Sequence, residues 1–208
     1  MTVSLIISTY NWPQALELVF KSVLSQSLIP DEIIVADDGS SIDTEKIIKK
    51  YQNIFNIPLY HFWHKDNGFR KSIILNKAIV SAKSKYIIQI DGDVILHKQF
   101  IQNHVSFLKP YTFIHGSRVL LNEKLTTHLL ASKKHKIPFF FFLDATNLFN
   151  SIYFPFFASF FSFSNSSLKG TRGCNFSFLK DDFIAANGYN EDIVGWGKED
   201  TELSVRLM

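Results

Sequence analysis

The first half of the chain alternates short continuous apolar runs with longer stretches whose apolar positions recur every three or four residues. Residues 3–8, 32–36, 59–63 and 86–90 are the short runs, rich in β-branched or aromatic side chains, and each reads as a strand. Between them, Leu16, Val19, Phe20, Val23 and Leu24 fall at helical spacing within residues 15–24. Ile74, Leu75, Ala78 and Ile79 share one face of a helix predicted over residues 71–82. Residues 44–51 and 99–108 also read as helices, the first with Ser41 or Asp43 as its N-cap. Strands alternating with helices predict a mostly parallel sheet of right-handed βαβ units. The expected class is therefore α/β, a mostly parallel central sheet flanked by helices.

The second half is less regular. Residues 111–121 read as a strand with Gly116 in mid-run, followed by the basic patch Lys133-Lys134-His135-Lys136. Residues 139–163 are Phe-rich and carry one charge, Asp144. Asp144, Asn147, Asn150 and Pro155 interrupt that stretch, so it is not expected to span a membrane. It reads either as an insertion covering the core or as an aromatic flap meeting a lipid-linked acceptor or a membrane surface, with the lysines toward anionic headgroups.

Composition narrows the field. At 208 residues, one domain is expected, and 46% hydrophobic with 20% charged residues are globular values. A net charge of +3 without a basic stripe gives no reason to expect nucleic acid. Cys174 is the one cysteine, which excludes an intrachain disulfide and fits a reducing compartment. The chain enters its first strand at once and shows no signal peptide, so a cytoplasmic location is expected.

Candidate chemistry gathers where the strands end. Asp91-Gly92-Asp93 follows the fourth strand, Ser8-Thr9-Tyr10-Asn11 ends the first, and Asp37-Asp38-Gly39-Ser40 ends the second. Open α/β sheets bind ligands at the carboxyl ends of their strands. Alone, Asp38-Gly39-Ser40 is a turn; together with Thr9 and Asp93 it predicts a nucleotide pocket. Two carboxylates one residue apart repel, and oxygen ligands suit Mg²⁺ or Mn²⁺, particularly a cation that also binds a diphosphate. No Gly-x-Gly-x-x-Gly or Walker loop follows the first strand, which argues against a dinucleotide dehydrogenase and a P-loop ATPase. A metal held by Asp93 would neutralise the diphosphate instead. Near the far end, Gly195-Trp196-Gly197-Lys198-Glu199-Asp200 precedes a helix marked by Leu203 and Leu207. Carboxylates in a first helical turn are favoured by the dipole, but that does not explain a glycine-flanked Trp196, a flat face for a sugar ring. A carboxylate beside such a platform suits general-base work on a hydroxyl.

These motifs resemble an inverting family-2 glycosyltransferase of the GT-A fold. The resemblance rests on Ile7 to Asn11, Val35 to Ser40, Gly68 to Lys77, Ile90 to Asp93 and Gly195 to Asp200, in the family's order. The last segment also resembles the C-terminal motif of β-1,4-galactosyltransferases and of chondroitin- and capsule-type polymerases. The resemblance implies that Thr9 and Tyr10 line the nucleotide pocket and that Asp38, or Asp37, hydrogen-bonds uracil. It implies that Arg70 approaches the base or diphosphate, Asp91 the ribose, and that Asp93 holds Mn²⁺ or Mg²⁺. Asp200 is implied as the catalytic base and Glu199 as a ligand of acceptor or donor sugar. Gly173-Cys174-Asn175 resembles the segment lining the sugar site, which brings in Asn175. Relatives often carry Arg where Leu75 stands, and Arg70 is the expected substitute. Many also present a histidine metal ligand after the Glu-Asp helix; here the sequence reaches Met208 within that helix pattern, and the ligand is expected beyond it. His104 and His115 are expected to be structural.

The implied reaction moves a sugar from a UDP-sugar to the hydroxyl of a saccharide or lipid-linked saccharide, with inversion, in bacterial surface polysaccharide synthesis. The implied layout puts the donor in residues 1–95 and the acceptor in residues 96–208, with an insertion over about 137–165. The alternatives are a sugar-1-phosphate nucleotidyltransferase, whose glycine-rich basic loop Tyr10-Asn11-Trp12-Pro13 does not supply, and an inactive carbohydrate- or nucleotide-binding module.

Overall fold

The computed structural model describes residues 1–137, 145–147, 172–193, 195 and 197–208. The Phe-rich stretch and Trp196 lie outside the described residues, apart from 145–147. The first half builds β1 (Val3–Thr9), α1 (Pro13–Leu24), β2 (Glu32–Asp37), α2 (Ile42–Gln52), β3 (Leu59–Trp63), α3 (Lys71–Ser81) and β4 (Tyr86–Asp91). Then come α4 (Phe100–Phe107), β5 (Ile114–His115), β6 (Leu120–Leu121), α5 (Glu123–Ser132) and β7 (Ala145–Thr146). β8 (Asn175–Leu179), α6 (Lys180–Ala185) and α7 (Glu199–Leu207) complete the order.

Six strands form one sheet in the order β3-β2-β1-β4-β8-β5. The pairs β1–β2, β1–β4 and β2–β3 are parallel, as the alternation predicts; β8 runs antiparallel to both neighbours. Every residue of β1 and β2 is buried. Helices on both faces leave no solvated side, which is why these strands read as unbroken apolar runs. Successive side chains take opposite faces. Leu5, Ile7, Val35 and Ile90 pack with Leu16, Phe20 and Ile101 on one side. Ile6, Ile34 and Ile87 pack with Leu75, Ile79, Phe183 and Leu203 on the other. Each large side chain so buried contributes about 1.5–3 kcal/mol.

One local expectation is corrected. Residues 111–121 are not one strand: only Ile114–His115 and Leu120–Leu121 pair, with different partners. The break follows from Asn175, whose backbone oxygen accepts from Gly116 N at 2.9 Å and whose Nδ2 donates to the Ser117 oxygen at 3.0 Å. A Cβ at Gly116 would lie 2.0 Å from that side chain. α5 adds to the predicted elements: Asn122 caps it, accepting from Leu125 N at 2.9 Å, while Leu125 and Leu129 meet Leu18 of α1. Ser41, one of the two residues expected there, holds the N-cap position of α2, without a side-chain cap bond.

Candidate active site

Parallel register sets the site. Thr9 stands beside Asp37, and Ser8 beside Asp91, so three strand tips converge on one edge. The Asp38 and Gly92 amides donate to the Thr9 and Ser8 oxygens at 3.0 and 2.7 Å, binding the tips together. They enclose a cleft of about 320 Å³ lined by Thr9, Tyr10, Asp38, Lys71, Asp91 and Asp93, among others.

Asp38 is buried and fully engaged: His64 Nε2 lies 2.7 Å from one oxygen, and the Arg70 amide donates to the other at 3.0 Å. It is thus the Arg70 backbone that Asp38 holds. Asp37 pairs with His61 at 2.9 Å and accepts from Ser40 N at 2.8 Å, completing the turn. Gly39 has φ +94°, and a Cβ there would lie 2.6 Å from the Asp66 backbone; only glycine lets the two loops close this far. The Tyr10 hydroxyl fastens the same junction by donating to Asp66 at 2.9 Å.

The two carboxylates of Asp91-Gly92-Asp93 face opposite electrostatics. Asp91 accepts from the Ser8 hydroxyl at 2.8 Å and from Lys71 Nζ at 2.7 Å. Burial raises its carboxyl, but Lys71 and Ser8 outweigh burial and hold it below the usual carboxylate range. Asp93 is exposed at the cleft mouth, and the protein around its carboxyl together with the Asp91 charge pushes it up.

Asp200 and Glu199 open α7. Asp200 Oδ2 accepts from Gly173 N at 2.7 Å, and Oδ1 accepts from the Tyr189 hydroxyl at 3.2 Å. Burial raises the Asp200 carboxyl and Glu199 and Asp91 add to this, against Lys71 and the Gly173 amide; the net direction is up. Lys71 is therefore the shared cation: Asp91, Asp200 and Glu199 all act on its charge. Glu199 is buried and accepts from Gly197 N at 2.8 Å, so it also shapes the loop before the helix. Asp200 is not among the residues lining the 320 Å³ cleft. The Asn175 side chain is occupied by His104 Nε2 at 2.8 Å and by the Ser117 oxygen. His104 is buried, and burial lowers it to about 4; His115 stacks on Phe176 at 4.2 Å and is likewise lowered to about 4. Both are structural, as the sequence predicts. Among the described residues, no three His, Cys, Asp or Glu side chains gather around a common point.

Residues 4–169 match glycosyl transferase family 2, which is most of the chain. The chain belongs to this family. Residues 157–208 also match the N-terminal domain of galactosyltransferase. Among curated relatives of this family-2 chain, the chondroitin synthase of Escherichia coli is 27% identical over 98% of the chain and 32% of its own length. The hyaluronan synthase of Pasteurella multocida is 25% identical over 98% of the chain and 22% of its own length. The chain thus spans about a third or less of these two relatives. In fold it is similar to the mannosyltransferase PcManGT of Pyrobaculum calidifontis in complex with GDP-Man and Mn²⁺, at TM-score 0.63 and 16% identity, covering 99% of this chain and 51% of the other. S. aureus TarS 1–349 in complex with UDP-GlcNAc aligns at TM-score 0.60 and 17% identity, over 100% of this chain and 53% of the other. The fold of this glycosyltransferase is GT-A, as the motifs imply.

Four further residues, Lys71, His64, Gln89 and Tyr189, join the site only in the folded structure. Lys71 sits two residues past Phe69 at the start of α3, and only the folded register shows that it meets Asp91. Gln89 carries a signal in plain view, a lone amide inside an apolar strand.

Proposed function

We propose that this family-2 glycosyltransferase transfers a sugar, a hexose or N-acetylhexosamine, from a UDP-sugar to a hydroxyl of a saccharide or lipid-linked saccharide, inverting the anomeric carbon. The proposed setting is bacterial surface polysaccharide synthesis at the cytoplasmic face of the membrane. One observation carries the reading. Asp91 at the end of β4, with Lys71 Nζ 2.7 Å away, and Asp200 at the start of α7 are tied together, because Gly173 and Tyr189, which bond Asp200, also bond Gln89 of the same strand. A base and a leaving-group site are what a displacement at a sugar carbon requires.

In this reading the nucleotide occupies the cleft of Thr9, Tyr10, Asp38 and Asp91, in the donor half over residues 1–95. Asp200 accepts the proton of the attacking acceptor hydroxyl. Burial raises the Asp200 carboxyl, which strengthens it as a base. Lys71, which already balances Asp91, adds positive charge where the diphosphate departs. Arg70, whose backbone Asp38 holds, directs its guanidinium to the same nucleotide. Asp93 fits a divalent cation: it is exposed at the strand end, and its carboxyl is pushed up by burial and by the neighbouring Asp91 charge, which a bound cation would offset. Bound there, Mn²⁺ or Mg²⁺ supplies Lewis-acid neutralisation of the diphosphate. Asn175, Glu199 and Trp196 serve the sugar and acceptor side, Asn175 by shaping the wall through Ser117 and Glu199 through Gly197. The nucleotide-sugars in PcManGT and TarS support a nucleotide-sugar donor, and the chondroitin and hyaluronan synthases support a polysaccharide product. No helix among the described residues is long and apolar enough to cross a membrane; the proposed membrane contact is peripheral, through Lys133, Lys134, Lys136 and the Phe-rich stretch.

The test is a panel of UDP-sugars with Mn²⁺, scored for slow donor hydrolysis and then for transfer. UDP release from one or two donors is expected. Pyrophosphate formation would convert the reading to nucleotidyl transfer. Turnover unchanged by chelation and by Asp93→Ala would remove the metal from it.

A further inference from the structure

Gln89 is fully buried in the middle of β4, among apolar neighbours. A buried amide is costly unless its hydrogen bonds are met, and here they are met by two residues that also hold Asp200. Gln89 Nε2 donates to the Tyr189 hydroxyl oxygen at 2.9 Å and to the Gly173 oxygen at 3.3 Å. Gly173 N donates to Asp200 Oδ2 at 2.7 Å, and the Tyr189 hydroxyl donates toward Asp200 Oδ1 at 3.2 Å. The four residues thus close a ring: Gln89, Tyr189, Asp200, Gly173 and back to Gln89.

The ring has a direction. Tyr189 is 1% exposed, packed edge-on against Phe183 with ring centroids 5.8 Å apart. A phenol has a single proton. Gln89 Oε1, 3.1 Å away, and Asp200 Oδ1 compete for it. With the Gln89 amide already donating into the phenol oxygen, the proton is best used toward the ionised carboxylate, because bonds to charged acceptors are roughly twice as strong.

We propose that Tyr189 is a positioning residue for the transfer reaction: oriented by Gln89, it donates to Asp200 Oδ1 and locks the carboxylate plane so that a free lone pair meets the incoming hydroxyl. This inference rests on Asp200 as the base. Burial and the Asp200 charge raise the Tyr189 phenol well above its ordinary value, so it remains a donor throughout the working pH range. The arrangement couples β4, which ends in Asp91, to the base on α7 through a single side chain.

The experiment compares Tyr189→Phe, Gln89→Met and Asp200→Asn with the unaltered protein. The reaction is hydrolysis of the UDP-sugar that the donor panel selects, with Mn²⁺; UDP affinity is measured by calorimetry. Tyr189→Phe is expected to keep UDP affinity and lower kcat about 10- to 100-fold, the range for losing a hydrogen bond to a charged group. Its kcat–pH profile is expected to move its acid limb to higher pH, since the ionised carboxylate loses a donor. The other charges facing Asp200 are Lys71 on α3, Asp91 on β4 and Glu199 on α7; none is altered. Gln89→Met leaves the phenol in place without its guide and is expected to lower kcat with UDP affinity kept, which carries the test if Tyr189→Phe does not fold. Unchanged kcat in either folded variant beside an inactive Asp200→Asn overturns the role of Tyr189. A fully active Asp200→Asn sinks the base assignment and this inference with it.

Discussion

Lys71 and Leu75 lie one helical turn apart on the same face of α3, and it is Lys71, rather than the expected substitute Arg70, whose side chain meets Asp91. Leu75 is completely buried in the core. Lys71 carries the charge one turn nearer the strand tips, 2.7 Å from Asp91. Lys71→Met removes the partner of a largely buried carboxylate. A stability loss of about 1–3 kcal/mol in denaturant melts is expected, the range for stranding a charged hydrogen-bonding group. Because Lys71 draws the Asp200 carboxyl down, its loss lets that carboxyl rise, and the acid limb of the rate profile is expected to shift to higher pH. A profile that stays in place would separate Lys71 from the base. At this scale the sequence showed the carboxylates, since Asp91, Asp93 and Asp200 end apolar runs or begin helices. It concealed their partners: Lys71, Tyr189 and Gln89 take their meaning from contacts between residues up to 100 positions apart.

Elements with strong periodicity were legible, and short ones were not. The parallel strands declared themselves by apolar runs that burial on both faces demands. β8 has only five residues, too few to stand out beside the Gly173-Cys174-Asn175 motif that leads into it. α3 does more than cover the sheet. Asn76 on this helix donates to the Tyr189 oxygen at 2.9 Å and to Glu191 at 2.8 Å, and accepts from Tyr189 N at 2.7 Å. It clips the loop before α7 to the donor half. Asn76→Ala leaves backbone groups of Tyr189 without their partner and is expected to destabilise the fold by about 1–3 kcal/mol. It is also expected to lower kcat more than it weakens UDP binding. Thermal melts and donor kinetics check both, and a loss confined to UDP affinity would contradict the clip.

At the scale of the whole molecule, ligand and fold are linked. UDP with Mn²⁺ at about 100 times Kd is expected to add about 2.7 kcal/mol. For a chain of this size that raises the melting temperature by roughly 5–10 °C. Asp93→Ala is expected to lose the Mn²⁺-dependent part of that rise, and an equal rise would sink the metal assignment. Lys133, Lys134 and Lys136 are the basis of the proposed peripheral contact. Charge reversal at all three is expected to reduce binding to anionic liposomes at low salt, where screening is weak, and to leave UDP affinity intact. An unaltered protein that ignores such liposomes removes the membrane from the picture. One further property follows from the antiparallel course of β8. Since it runs against β4, its first residues sit at the same rim as the last residue of β4, so the chain re-enters the sheet at the reaction centre itself. The register of β1, β2 and β4 is set by their own parallel pairings. In the proposed reading, donor choice and acceptor choice are then written in different stretches of sequence. An acceptor graft ahead of residue 172 would retune the product and leave nucleotide recognition as it is.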